Sequence, residues 1–193
     1  HKGRNGYCTH VGNAWFAYFL STQSKSRVNF LRLLRAGRTD YVLDAYALAY
    51  VRDQKLPKAV LRKLKALGDQ LVDGDEAWAQ QLREWGITRK RHVKIVTEGA
   101  LLGSIVSHGT NPELVVMSDD AGQFNVLLHA LCWVHAERLL AKLMGFNDDQ
   151  RAALAAKRAE VWELYRDLKA YKNNPTAVLK DQLSARFDAI FQA

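Results

Sequence analysis

The sequence predicts an α/β fold, and three observations carry that prediction. Aromatic and β-branched runs near the start flank a Gly-Asn break; a long middle stretch repeats apolar residues at helical spacing; and a short, wholly apolar run, Leu114-Val115-Val116-Met117, stops abruptly at Ser118-Asp119-Asp120-Ala121-Gly122. A chain of 193 residues with 48% hydrophobic content suits one domain with an embellishment and can fill a core.

Taken in order, residues 6 to 21 read as a β-hairpin, because Tyr7, Thr9, Val11, Trp15, Phe16, Tyr18 and Phe19 suit strands on both sides of Gly12-Asn13. Ser24 or Ser26 then caps a short helix with Val28, Leu31 and Leu34 on one face and Gly37 as its stop. From Tyr41 to about Gly86 the pattern stays helical. Residues 41 to 51 form one helix, and a second follows Pro57 with Val60, Leu61, Leu64 and Leu67 on one face. A third is entered through Asp73-Gly74-Asp75 and carries Trp78, Leu82 and Trp85. A further helix spans roughly 93 to 107 and closes at His108-Gly109. The run 114 to 117 reads as a buried central strand, and residues 129 to 135 as another strand leading into a helix over 136 to 144. Amphipathic helices over 148 to 171 and 176 to 191 are split by Asn173-Asn174-Pro175. The expected organisation is thus one core over residues 1–193, with a helical insertion at about 40–107 and a helical segment at about 148–193.

Composition narrows the function. No run approaches the 18 to 20 or so apolar residues that cross a bilayer, and the start lacks the order of segments that marks a secretory signal. No membrane partner and a cytoplasmic location are expected. Cys8 and Cys132 alone build neither a disulfide framework nor a four-cysteine zinc module, in keeping with a reducing compartment. The formal charge of +8 is compatible with a polyanionic partner and equally with simple solubility. The first residue is His1 rather than Met, which suggests a processed product or a piece of a longer chain.

Three places could carry chemistry. A carboxylate directly after a buried parallel strand is held at the sheet's C-terminal edge, where open α/β sheets place their sites, and Asp119 and Asp120 occupy that position. Magnesium takes hard oxygen ligands, often one or two carboxylates with phosphate oxygens; the same Ser-Asp-Asp-Ala-Gly also reads as an ordinary turn or helix cap. The set Cys8, His10, Cys132 and His135 offers zinc-type donors, but its spacings argue against a site: alternation sends C-x-H to one face and C-x-x-H to opposite faces. Basic positions form the third signal. Arg27, Arg32, Arg35 and Arg38, with Arg89, Lys90 and Arg91, could track a phosphate backbone or line a solvated helix face. His135 and Glu137 are too common a pairing to mark an acid–base couple.

The segment Val115-Val116-Met117-Ser118-Asp119-Asp120-Ala121-Gly122-Gln123-Phe124, followed by His129-Ala130-Leu131-Cys132-Trp133-Val134-His135-Ala136-Glu137-Arg138, resembles the middle of a bacterial insertion-sequence transposase of the DDE class. Residues 1 to 13 resemble the hairpin that follows the strand bearing that family's first catalytic Asp. The similarity spans essentially the whole chain. It implies a ribonuclease-H-like fold with a mixed sheet carrying three acids. These hold two Mg²⁺ or Mn²⁺ ions, which activate water or a DNA 3′-hydroxyl for in-line phosphoryl transfer. It further implies transposon ends and target DNA as partners, with homo-oligomerisation open. Asp119 matches the second acid and metal ligand, with Asp120 as the fallback. The first acid would fall before His1 and the final Glu beyond Ala193, and the surroundings of Glu137, Glu160 and Glu163 do not match the final motif. The chain is therefore expected to be an internal fragment that does not cut or join DNA by itself. The alternative is a non-catalytic, basic DNA-binding or interaction module, a transposase remnant.

Overall fold

The computed structural model describes residues 6–191. The described residues divide into two compact units, 6–116 with 121–129, and 117–120 with 130–191. It is a mixed α/β protein whose described strands form three separate two-stranded ladders.

In the first unit, β1 (Tyr7–Gly12) and β2 (Ala17–Thr22) pair antiparallel from Tyr7 opposite Thr22 to Gly12 opposite Ala17. Asn13 shapes the turn: its Oδ1 accepts from the backbone N–H groups of Trp15 and Phe16, at 2.8 and 3.2 Å. Such side-chain to backbone bonds are why Asn favours turns. Ser26 caps α1 (Arg27–Leu34) by accepting from the Asn29 N–H.

The next segment corrects the sequence reading. Residues 40 to 43 are not the start of a helix but the strand β3 (Asp40–Leu43), and α2 (Ala45–Asp53) begins only after Asp44, whose carboxylate accepts from the Ala47 N–H at 2.8 Å. β3 pairs antiparallel with a second unanticipated strand, β4 (Gln70–Asp73). Between them lies α3 (Lys58–Ala66), and α4 (Asp75–Glu84) and α5 (Lys90–Ser107) follow.

The core of this unit gathers around α5. From Ile95 to Ile105 every residue of that helix is buried, with Leu31, Tyr41, Leu43, Val51, Leu64 and Trp78 packed into the same cluster. Two glycines let the helix approach its neighbours. A Cβ on Gly99 would lie 2.8 Å from Val51 Cγ2, and one on Gly103 only 2.2 Å from the Val42 carbonyl oxygen of β3. Trp78 stacks on Tyr41 with ring centres 4.8 Å apart, and its indole N–H donates to Thr97 Oγ1 at 2.9 Å. The polar end of a large buried ring is thereby satisfied.

β5 (Val115–Ser118) and β6 (Leu128–Leu131) are neighbours whose first residues belong to the first unit and whose last belong to the second. The flanking backbone bonds, Leu128 N–H to Leu114 O and Cys132 N–H to Ser118 O, advance in the same direction along both strands, the mark of a parallel pair. The expectation of a buried central strand is not met. Val115 is 56% exposed and Met117 70%, because among the described residues β5 has one strand neighbour.

The second unit continues with α6 (Trp133–Ala141), α7 (Asp148–Asn173) and α8 (Ala177–Phe191). Asn147 caps α7 through the Gln150 N–H, and the break at 174–176 lies where Asn-Asn-Pro indicated it. Val161, Leu164 and Ile190 form its small core, against which Trp133, Leu140, Leu168 and Leu183 pack.

Candidate functional site

The polypeptide leaves β5 at Ser118, so Asp119 is the first residue past the strand's C-terminal tip. Its side chain is half-buried, and that of Asp120 is exposed. Two bonds fix the tip. The Ser118 hydroxyl donates to the Asp119 carbonyl oxygen at 2.7 Å, and the Cys132 N–H from the end of β6 donates to the Ser118 carbonyl at 2.7 Å. Beyond it, residues 122–124 make one turn of 3-10 helix, and Val126 is buried in the first unit's core. The backbone at Asp119 is thereby tied to the end of the β5–β6 ladder.

A divalent-cation site needs several hard oxygen donors. Among the described residues no group of three or more His, Cys, Asp or Glu comes together to hold a metal. The later glutamates serve other partners. Glu137 is buried and receives Arg158 Nε at 2.7 Å; Glu160 pairs with Lys157 at 2.8 Å; Glu163 pairs with Arg186 at 3.0 Å. Asp119 and Asp120 alone do not make up such a donor set among the described residues.

At the N-terminal cap of α6, Cys132 sits beside His135. Hydrogen bonding from His135 holds the Cys132 thiol below its ordinary pKa, and the cost of partial burial, which works the other way, does not cancel it.

The structure separates the basic residues into two groups. The guanidinium groups on α1 and just after it are largely committed to the protein. Arg27 donates to Tyr50 Oη at 2.9 Å and to the Gly122 carbonyl at 2.5 Å, and lies 3.6 Å from Glu98. Arg32 bonds Asp75 at 2.7 Å and Tyr41 Oη at 3.2 Å. Arg35 is buried over the Tyr41 ring and donates to the Asp40 carbonyl at 2.9 Å. Arg38 is half-buried, with its Nε enclosed and lacking a hydrogen-bond partner. Arg27, Arg32 and Arg35 thus brace the unit through these contacts.

By contrast, Arg89, Lys90 and Arg91 at the start of α5 are exposed. Arg91 donates to the Gln54 carbonyl at 3.0 Å. Sequence reasoning missed their companions Lys55, Lys58, Arg62, Lys63 and Lys65, all exposed. Their signal in the sequence is the absence of any acid from residues 54 to 68.

Glu98 is the other residue the sequence did not single out for a role. It is 1% exposed on α5; Tyr50 Oη donates to its Oε2 at 2.7 Å, and Lys94 Nζ lies 3.9 Å from Oε1. Burial, and then the hydrogen bond to Glu98, push the Tyr50 phenol far above its ordinary pKa, so it stays a donor. The chain Glu98, Tyr50, Arg27, Gly122 O ties the middle of the central helix to the loop that follows Asp119 and Asp120.

The chain is 38% identical over 193 residues to the uncharacterized protein y4jO of Sinorhizobium fredii, an alignment that takes in 99% of this chain. It spans 60% of the length of that curated relative. No family model matches the chain, and no solved structure matches it. Among the described residues no helix is long and apolar enough to cross a membrane.

Proposed function

We propose that this chain forms part of the catalytic core of a DNA transposase of the DDE class, with a ribonuclease-H-like arrangement and with Asp119 as one of its Mg²⁺- or Mn²⁺-holding carboxylates. The observation that supports this most is local. Asp119 is a half-buried carboxylate at the C-terminal tip of a strand with a parallel neighbour, in a Ser-Asp-Asp-Ala-Gly context similar to that family's second acid. The remaining metal donors would come from elsewhere in the complete protein, whose substrates would be transposon ends and target DNA. The second reading, a non-catalytic DNA-binding module, draws on the exposed cations of α3 and the start of α5.

Strand transfer by the protein's complete reading frame, in Mg²⁺ or Mn²⁺, separates the two. Under the catalytic reading Asp119→Ala abolishes product while DNA binding persists. Full transfer by the Asp119→Ala variant removes the residue from the mechanism, and DNA binding indifferent to chelator with no transfer by the unaltered protein favours the module.

A further inference from the structure

We propose that the outer side of α3, together with the start of α5, is a docking surface for the phosphate backbone of duplex DNA, read without regard to base sequence. This deepens the DNA reading above and is independent of Asp119.

Lys58, Arg62 and Lys65 recur at i, i+4 and i+7, and therefore share one side of α3. At 1.5 Å per residue that row spans about 10 Å, comparable to about three base steps of one strand. Two contacts bring the start of α5 alongside. Arg91 donates to the carbonyl of Gln54, next to Lys55, and a Cβ built on Gly86 would lie 3.2 Å from Lys63 Nζ, three residues before Arg89. Lys58, Arg62, Lys63, Lys65, Arg89 and Lys90 are exposed, and none has a carboxylate partner among the described residues. This is the opposite of α1, whose arginines are occupied. The local charge is also unrelieved in the first turn of α5, which holds no acid although a helix start favours one.

Charge and surface chemistry choose the partner. The apolar side of α3 is spent on the core, with Leu64 fully buried and Val60, Leu61 and Leu67 packed against the cluster. Nothing remains to insert into a lipid surface, as an interfacial amphipathic helix must. Besides its cations the exposed side offers Ala59 and Ala66, with no aromatic. Protein hot spots and single-stranded nucleic acid both draw on aromatic anchors. A regularly charged duplex asks only for spaced cations.

The test is fluorescence anisotropy of the full chain with a 30-base-pair duplex over a salt series. The variant Lys58→Gln/Arg62→Gln/Lys63→Gln/Lys65→Gln is compared with an equal loss of charge on the second unit, Lys142→Gln/Lys169→Gln/Lys172→Gln/Lys180→Gln, and far-UV circular dichroism checks both folds. Expected are a loss of at least about tenfold in affinity and a log–log salt slope shallower by about 3 for the α3 variant, with the second-unit variant within about twofold of the unaltered chain. Equal losses in both would reduce the effect to net charge and overturn the surface. An unchanged α3 variant would overturn the surface and leave DNA binding standing, whereas no binding by the unaltered chain at 50 mM salt would overturn both. Tighter binding to single-stranded DNA or duplex RNA, by about tenfold or more, would overturn the choice of partner.

Discussion

Removing the Arg27 guanidinium probes the buried network most sharply. Arg27→Ala leaves Glu98, 1% exposed, with Tyr50 as its one close donor and Lys94 at 3.9 Å. Breaking a buried ion pair by deleting one partner typically costs about 3–5 kcal/mol. Arg27 retains 18% side-chain exposure and Lys94 offers partial compensation, so we expect about 2–3 kcal/mol. Hydrogen–deuterium exchange of peptides within α5 reads this directly as a lower opening free energy, and a urea melt followed by tryptophan fluorescence gives a second measure. The double variant Arg27→Met/Glu98→Leu removes both charges and should recover most of the loss, since an apolar pair of similar volume is often no worse than a buried ion pair. Arg27→Ala within about 0.5 kcal/mol of the unaltered chain, the range of ordinary surface substitutions, or a double variant no more stable than the single one, would show that Arg27 does not compensate the buried Glu98 charge.

Three further outcomes follow from the same geometry. Gly103→Ala forces a Cβ to 2.2 Å from the Val42 carbonyl, and should cost about 2–3 kcal/mol, read as a melting point lower by about 5–10 °C; an unchanged melt would show that α5 does not press on β3. In a Cys8→Ser background, iodoacetamide should alkylate Cys132 with a midpoint below the ordinary thiol value, and His135→Ala should move that midpoint up, because hydrogen bonding from His135 favours the thiolate; a midpoint indifferent to the substitution would contradict this. Because Tyr50 has a raised pKa when folded, its contribution is intact below the unfolded phenol value of about 10 and is lost as pH climbs above it. Tyr50→Phe should therefore flatten the fall in stability above about pH 10, and an identical alkaline profile would count against the buried hydrogen bond.

The amino-acid pattern made much of this architecture legible, for reasons that also explain its failures. The hairpin, α3, α4, α5 and the two C-terminal helices announce themselves through local signals: the turn-forming Asn13, Pro57 before α3, the acids at the start of α4 and the Asn-Asn-Pro break. β3 and β4 were invisible because each has four residues, too few to display alternation, and Tyr41-Val42-Leu43 merges with the apolar residues of α2 into what looks like one helix. Their pairing spans the whole of α2 and α3, and no local pattern encodes it. Asp119 was legible as a carboxylate at the end of an apolar run, but the exposure of Val115 and Met117 was not, since a run of apolar residues does not reveal how many strands flank it. The α1 arginines show the same limit: the sequence displays a row of like charges, but the carboxylates of Glu98 and Asp75 that meet Arg27 and Arg32 are distant in sequence. The cations of α3 share a segment with its apolar residues, and helical spacing alone marks the apolar side.

The most direct check on Asp119 uses iron as a cutting probe. Fe²⁺ is loaded into the protein's complete reading frame, ascorbate and peroxide generate hydroxyl radicals at the bound ion, and the backbone breaks are mapped by mass spectrometry. Cleavage is expected to cluster around residues 117 to 121, to be suppressed by excess Mg²⁺ and to be absent in Asp119→Ala. Cleavage elsewhere, or cleavage at that strand tip persisting undiminished in Asp119→Ala, would contradict metal binding by Asp119.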